Sequence, residues 1–266
     1  MNIIFKDEGL FKNLRDNSLS KFVVGSYLYK TNNEKSDKDY LYIYPVLVNE
    51  LLNVGYTNNQ LQYKIDNEDH LFISVVAFIK NIINGDSTIN FELLSSDQFK
   101  EHNLFKCLYN IRHVFRTYNL IKSFLGFALR DYKMYLKEKD TSIKNKKLGH
   151  ILRGITIAKE LLNLDKEFNY NETIELFKLK LKNNTMIHSD LLIEIQRLKT
   201  LNTQYLQENK LSRLVQPKDI KIINELVYSK LYLNNACIQQ AINLDKDSKK
   251  ILDLYTSNFG MDIVCY

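Results

Sequence analysis

The sequence predicts an α+β fold: a small mixed-sheet core over residues 1–100, then a mostly helical part over 101–266. Three observations predict it. Runs rich in Phe, Val, Tyr and Ile, residue types that favour strands, crowd into the first hundred positions. Beyond Glu92 apolar residues recur at helical intervals. Only 8 Gly and 2 Pro occur in 266 residues, which leaves little material for linkers, so the two parts are expected to pack together.

The elements follow in order. "FKNLRDNSLSKFVVGSYLYK" reads as a short amphipathic helix and then a buried strand from about Lys21 to Val24. "DKDYLYIYPVLV" is a second strand ending near Pro45. "NELLNVGYTNNQ" reads as a loop or short helix, and "LQYKIDNEDHLFI" as a third extended segment. From Ser74, "SVVAFIKNIING" has helical spacing and stops at Gly85, a suitable C-terminal cap. "FKCLYNIRHVFRTYNLIKSFLGFALRDYKMYLKEK" is long and amphipathic. "SIKNKKLGHILRGITIAKELLNLD" and "NETIELFKLKLKN" are further helices. "SDLLIEIQRLKTLNTQYLQENKL" follows with Ser189 as its cap, and the next helix begins at Pro217.

The apolar fraction of 45% and charged fraction of 26% belong to an ordinary globular protein. No run of about eighteen uncharged apolar residues is present, so no membrane span is expected. The N-terminus carries acids and lysines too early for a secretory signal. Cys107, Cys237 and Cys265 are far apart and in no metal spacing, which suits reduced thiols in a cytoplasmic protein. The formal net charge of +6 is unevenly placed: residues 101–155 sum to +8 and the remainder to −2. Such a segment is either a set of solvated helix faces or a surface for an anionic ligand.

One stretch carries chemistry. In "GSYLYKTNNEKSDKDYLYIY" a strand feeds Gly25 and Ser26 into a turn. Glycine lets backbone approach a bulky anion, and a serine hydroxyl with nearby N–H groups can hold phosphate oxygens. Asp37 and Asp39 are two residues apart, so on a strand both carboxylates leave one face. Paired carboxylates suit Mg²⁺, which takes a few protein oxygens plus substrate phosphates. Each half alone is an ordinary turn or an exposed strand edge; the spacing of the two is what points to phosphate chemistry. Lys147, His150 and Arg153 recur at three-residue steps and share a helix face. They form either a clamp for phosphates or a solvated face with one histidine. Arg112, Arg116, Arg130 and Lys133 either guide an anionic acceptor or solubilise a long helix. Tyr27, Tyr29, Tyr40, Tyr42 and Tyr44 either stack bases or cover the core.

"VVGSYLYKTNNEKSDKDYLYIY" resembles the signature of the DNA polymerase beta-type nucleotidyltransferase superfamily: hydrophobic–Gly-Ser, about ten residues, then Asp-x-Asp. More narrowly it is similar to the bacterial and phage predicted nucleotidyltransferases associated with RNA ligases, with Gly25, Ser26, Tyr29, Thr31, Ser36, Asp37 and Asp39 matching. Lys30 departs, since that family prefers glycine there. "EDHLFISVVAFIKNIINGDSTINFELLSS" resembles the family's acidic strand, helix and aliphatic–Glu–Leu-Leu element, with Asp86 and Ser87 replacing Asn-Pro. "KKLGHILRGITIAKELL" resembles its Lys-Lys-x-x-His-x-x-Arg helix.

The resemblance covers about residues 20–165, and residues 166–266 resemble nothing that can be named. It implies a nucleotidyltransferase core with a helical domain packed against it. Asp37 and Asp39 would hold Mg²⁺, two ions in all, with Asp69 as third carboxylate and Asp66 or Glu92 as the alternatives. Gly25, Ser26, Lys147, His150 and Arg153 would bind a nucleoside triphosphate, with Lys30 as a further candidate. The expected reaction moves a nucleotidyl group to an acceptor hydroxyl, an RNA such as a tRNA 3′ end, and releases pyrophosphate toward the clamp. A protein Tyr, Ser or Thr is the alternative acceptor, and a nucleotide- or RNA-binding module with a decayed site is the alternative to an enzyme.

Overall fold

The computed structural model describes residues 2–34, 36–45, 60–65, 68–183, 188–227 and 229–230. The protein is α+β. Its order begins β1 (Asn2–Ile4), α1 (Glu8–Asp16), β2 (Ser20–Val24), β3 (Asp39–Tyr44), β4 (Gln60–Ile65), β5 (Glu68–Ser74) and α2 (Val75–Asn84). Asp7 caps α1 by accepting from the Leu10 N–H at 2.9 Å. Gly85 ends α2 at φ 72°, as its place after the helix requires.

The sheet has the order β1-β4-β5-β3-β2. β2 pairs with β3 and β4 with β5 antiparallel, while β3 pairs with β5 and β1 with β4 in parallel. The interior strand β3 is buried along Leu41–Tyr44, which is why it reads as an unbroken apolar run. On one face Tyr42, Tyr44, Leu61 and Phe72 form a core with Phe5 and with Leu10, Phe11 and Leu14 of α1. The strand tyrosines at 42 and 44 therefore cover the core. The single extended segment expected at 61–73 is a hairpin of two strands, and β1 was not foreseen because three residues show no pattern.

The helical part continues with α3 (Thr88–Leu94), α4 (Asp97–Lys100), α5 (Lys106–Asn110), a 3-10 turn (Arg112–Phe115), α6 (Tyr118–Lys137), α7 (Thr141–Leu162), α8 (Tyr170–Asn183), α9 (His188–Gln207) and α10 (Pro217–Val227). The stretch expected as one long helix from Phe105 is broken before Tyr118. Thr117 starts α6 there, its hydroxyl accepting from the Leu120 N–H at 3.3 Å. Helix α9 begins at His188, so Ser189 lies inside it rather than capping it. α6 and α7 form an antiparallel hairpin, joined by α8 and α9. Gly154 allows the close approach in that hairpin: a Cβ there would stand 3.1 Å from Phe124 O and 3.2 Å from Ala128 Cβ.

The described residues fall into two compact units: one runs to Asn81 and takes up the chain again at Asn224, and the other is Ile82–Ile223; the sequence suggested a single division near residue 100. The "NELLNVGYTNNQ" stretch up to residue 59, Asp66 and the chain beyond 230 lie outside the described residues. Among the described residues no helix is long and apolar enough to cross a membrane.

Candidate active site on the sheet and a buried charge centre in the helices

The candidate site starts from the turn between β2 and β3. Gly25 has φ 65°, a left-handed conformation natural to glycine. A Cβ at Gly25 would stand 2.5 Å from Asp39 Oδ2, so only glycine leaves room for that carboxylate. Register explains the approach: Val24 pairs with Asp39, and the next residue of the chain is Gly25. Residues 25–30 then coil through one helical turn. Its closing bonds run from the Thr31 N–H to Ser26 O, 2.9 Å, and from the Lys30 N–H to Tyr27 O, 3.2 Å. This is the bond pair of a Schellman motif, and Lys30 occupies the left-handed position that usually takes glycine, at φ 55°. Leu28 and Tyr29 are buried and anchor the turn. The first N–H groups of any such turn lack partners within it, which suits an anion.

The register of β3 with β5 aligns Tyr40 with His70, and so sets Asp39 beside Asp69 on the neighbouring strand. Cross-strand neighbours leave the same face, so Asp39 and Asp69 share one side of the sheet, opposite the Tyr42–Phe72 core. Asp69 is oriented from β4: Gln62 Nε2 donates to its Oδ1 at 2.9 Å, and Lys64 Nζ lies 3.9 Å away. Neither Gln62 nor Lys64 was singled out from sequence. Their signal is the alternation in "LQYKI", which becomes readable only once Lys64 is known to pair with Asp69. Asp37 is exposed just ahead of β3. Among the described residues no three or more His, Cys, Asp or Glu groups stand close enough to hold a metal. Asp39 and Asp69 supply two partly exposed carboxylates on one face of the sheet.

His70, next to Asp69, points to the other face. Its Nδ1 lies 3.2 Å from the Tyr42 hydroxyl, and burial lowers its pKa from the usual value. Burial likewise raises the Tyr42 pKa to about 12, so this pair is a neutral part of the core. On that face a groove of about 400 Å³ runs along α1, lined by residues including Phe11, Lys12, Arg15 and Tyr63.

The residues expected as a phosphate clamp belong to the second unit. Arg153 is buried at 7% exposure and its Nε lies 3.5 Å from Glu92 Oε2. Glu92 is fully buried, and the Tyr170 hydroxyl donates to its Oε2 at 3.4 Å. Burial pushes the Glu92 pKa up to about 7, against the lowering pull of Arg153 and Tyr170. Glu92 is therefore an interior partner of Arg153 rather than an acid on the sheet. The two motifs in "INFELL" and "KKLGHILRG" meet in one ion pair. His150 Nδ1 lies 3.1 Å from Asp131 Oδ2, and Asp131 is itself buried. Burial, with Arg153 nearby, lowers the His150 pKa despite Asp131. Lys147 is half-buried and its Nζ lies 3.9 Å from Met134 Sδ.

Comparison of the chain with protein-family models, with curated proteins and with solved structures found no match.

Proposed function

We propose that the protein is a nucleotidyltransferase that uses a nucleoside triphosphate and an RNA hydroxyl. The observation that carries the reading is the turn–strand geometry: left-handed Gly25 held against the Asp39 carboxylate, with Asp69 beside it on the next strand. The left-handed backbone at Lys30 adds support. The chain departs there from the glycine of the family it resembles, yet keeps the conformation a glycine would take.

In this reading the first turn after β2 takes the triphosphate, with Gly25 allowing close backbone approach and Ser26 donating its hydroxyl. Asp39 and Asp69, with exposed Asp37 able to join them, suit Mg²⁺ together with phosphate oxygens. When bound, the cation would neutralise charge on the phosphates. The acceptor oxygen attacks the α-phosphorus, the bond to the bridging oxygen of pyrophosphate breaks, and Asp69 takes the acceptor's proton. Gln62 and Lys64 hold the Asp69 carboxyl for that step.

The test is pyrophosphate release with Mg²⁺ and each ribonucleoside triphosphate, with and without bulk tRNA, for wild type and an Asp37→Ala, Asp39→Ala protein. The reading expects release that depends on RNA and vanishes in the double variant. Equal release from both proteins overturns it. Label from α-labelled ATP found on protein instead of RNA would replace the acceptor.

A further inference from the structure

The cations of the +8 segment are not equivalent once the chain is folded. Some are held inside. Arg112 donates to Glu167 Oε1 at 2.8 Å and to Tyr109 O at 3.1 Å. Arg116 donates to the Leu161 and Lys166 carbonyls, tying α6's approach to the end of α7. Arg153 is buried against Glu92. Apart from Lys106 and Lys122, the rest gather toward the loop end of the α6–α7 hairpin.

On α6, Arg130, Lys133, Met134 and Lys137 fall at steps of three and four residues, so they share one face. On α7, Ile143, Lys146, Lys147 and His150 do the same. The two faces touch, through Lys147 Nζ with Met134 Sδ at 3.9 Å and His150 with Asp131 at 3.1 Å. They make one basic stripe across both helices, its cations spaced by a helical turn of about 5.4 Å.

Among the described residues the acids of the hairpin offset Arg130 and His150 but pair with none of the stripe's lysines. Asp131 is buried and turned to His150 and Arg130. Glu138 Oε1 accepts from the Lys139 and Asp140 N–H groups at 3.0 and 3.1 Å. Asp140 caps α7, its Oδ1 accepting from the Ile143 N–H at 2.9 Å. Lys133, Lys137, Lys139 and Lys146 are exposed, and no side-chain acceptor holds any of them among the described residues.

We infer that this stripe binds the sugar-phosphate backbone of RNA, without reading its sequence. The inference rests on the RNA-acceptor reading and supplies the surface by which that acceptor is held. Backbone rather than base recognition follows from the aromatics. Tyr135 is buried, and Phe127 lies under the Arg130 guanidinium at 4.0 Å, so neither ring offers a stacking platform. A bilayer surface fits less well. The stripe's exposed apolar side chains are only Met134 and Ile143 among the described residues, and Leu136 lies about 200° around α6 from Met134, so little apolar surface adjoins the cations.

The experiment is fluorescence anisotropy of a labelled, unstructured RNA of about 20 nucleotides, titrated with the full chain in EDTA without nucleotide, at 50 to 200 mM KCl. With the five Lys and Arg side chains of the stripe engaged, affinity is expected to fall by roughly two orders of magnitude over that range. A Lys133→Gln, Lys137→Gln, Lys146→Gln protein should bind more weakly, with a log–log salt slope shallower by about 2. A Lys100→Gln, Lys218→Gln, Lys221→Gln protein has the same net charge and should bind almost as wild type does. Replacing the same three stripe lysines by Arg should preserve binding, which guards against a folding defect. Equal loss in both Gln triples, no loss in either, or binding to phosphatidylserine vesicles but not to RNA, overturns the inference. The Asp37→Ala, Asp39→Ala protein should bind RNA like wild type. Failed transfer with intact binding therefore rejects the chemistry alone, and failed binding with intact transfer rejects this surface alone.

Discussion

The sheet unit and the helical unit each place a motif carboxylate among partners of opposite charge, and solvent separates their roles. On the sheet, Asp39 and Asp69 are only partly covered, at the strand ends, with Lys64 and Gln62 beside Asp69. In the helices, Glu92 has no exposure and meets a buried Arg153 and the Tyr170 hydroxyl. An ion pair in water is worth little to stability, so the sheet carboxylates remain available to a ligand. A buried pair is different: its charges have lost their water, and each needs the other. The same residue types at motif spacing are thus solvent-facing in one place and part of the architecture in the other.

The comparison can be broken first on the sheet. Loss of both Asp37 and Asp39 to Ala should lower turnover by about a thousandfold, since removing several kcal/mol of charge stabilisation costs roughly tenfold per 1.4 kcal/mol. Because Asp37 is exposed and Asp39 partly so, the thermal midpoint should move little. A large drop in the midpoint with a proportionate loss of activity would mean that these acids are structural as well.

The helical side predicts the reverse. Arg153→Ala should destabilise the protein by about 3 kcal/mol in urea unfolding, because it strands a buried carboxyl. The cost sits at the low end for such pairs because Glu92, with its pKa already near 7, can take up a proton. If stability is kept and the KM for nucleotide rises instead, Arg153 is a phosphate ligand and the contrast between the units fails.

A pH series sharpens the same point. Glu92 holds its proton more tightly folded, with a pKa of about 7, than unfolded, with an ordinary 4.5. Between those values the native state binds more protons, so stability falls as pH rises. The loss is on the order of 3 kcal/mol in all, complete above about pH 7 and absent below about pH 4.5. Glu92→Gln should flatten this part of the stability–pH curve, as read from urea midpoints at each pH. A curve for the variant parallel to wild type would show that Glu92 does not titrate in this window.

What the sequence disclosed follows the range of the forces involved. Period-2 and period-3.6 patterns are local, so β2, β3, α1, α2, α7 and α8 were legible to within a few residues. The break before Tyr118 was not, because "RHVFRTYN" keeps apolar spacing while Thr117 caps a new helix. The Gly25 turn was legible because a left-handed glycine leaves a mark in the residue itself. Asp69 beside Asp39 was expected from the resemblance, and strand register brings them together. The burial of Arg153 was hidden, because "KKLGHILRG" has the same cation spacing whether its arginine meets solvent or a glutamate sixty-one positions earlier. Pairings between distant segments cost no local signal, and they decide which charges stay wet.

The smallest effect concerns Lys30. Its φ of 55° carries a Cβ penalty of about 1–2 kcal/mol that glycine would not pay. Glycine in turn loses more chain entropy on folding, about 0.5–1 kcal/mol. Lys30→Gly should therefore stabilise the protein by only about 0.5 kcal/mol. The side chain is exposed and the proposed triphosphate site uses Gly25 and Ser26, so KM for nucleotide should stay unchanged. A several-fold rise in KM with unaltered stability would instead make Lys30 a phosphate contact. That outcome would extend the open, solvent-facing character of the sheet site from its carboxylates to a cation.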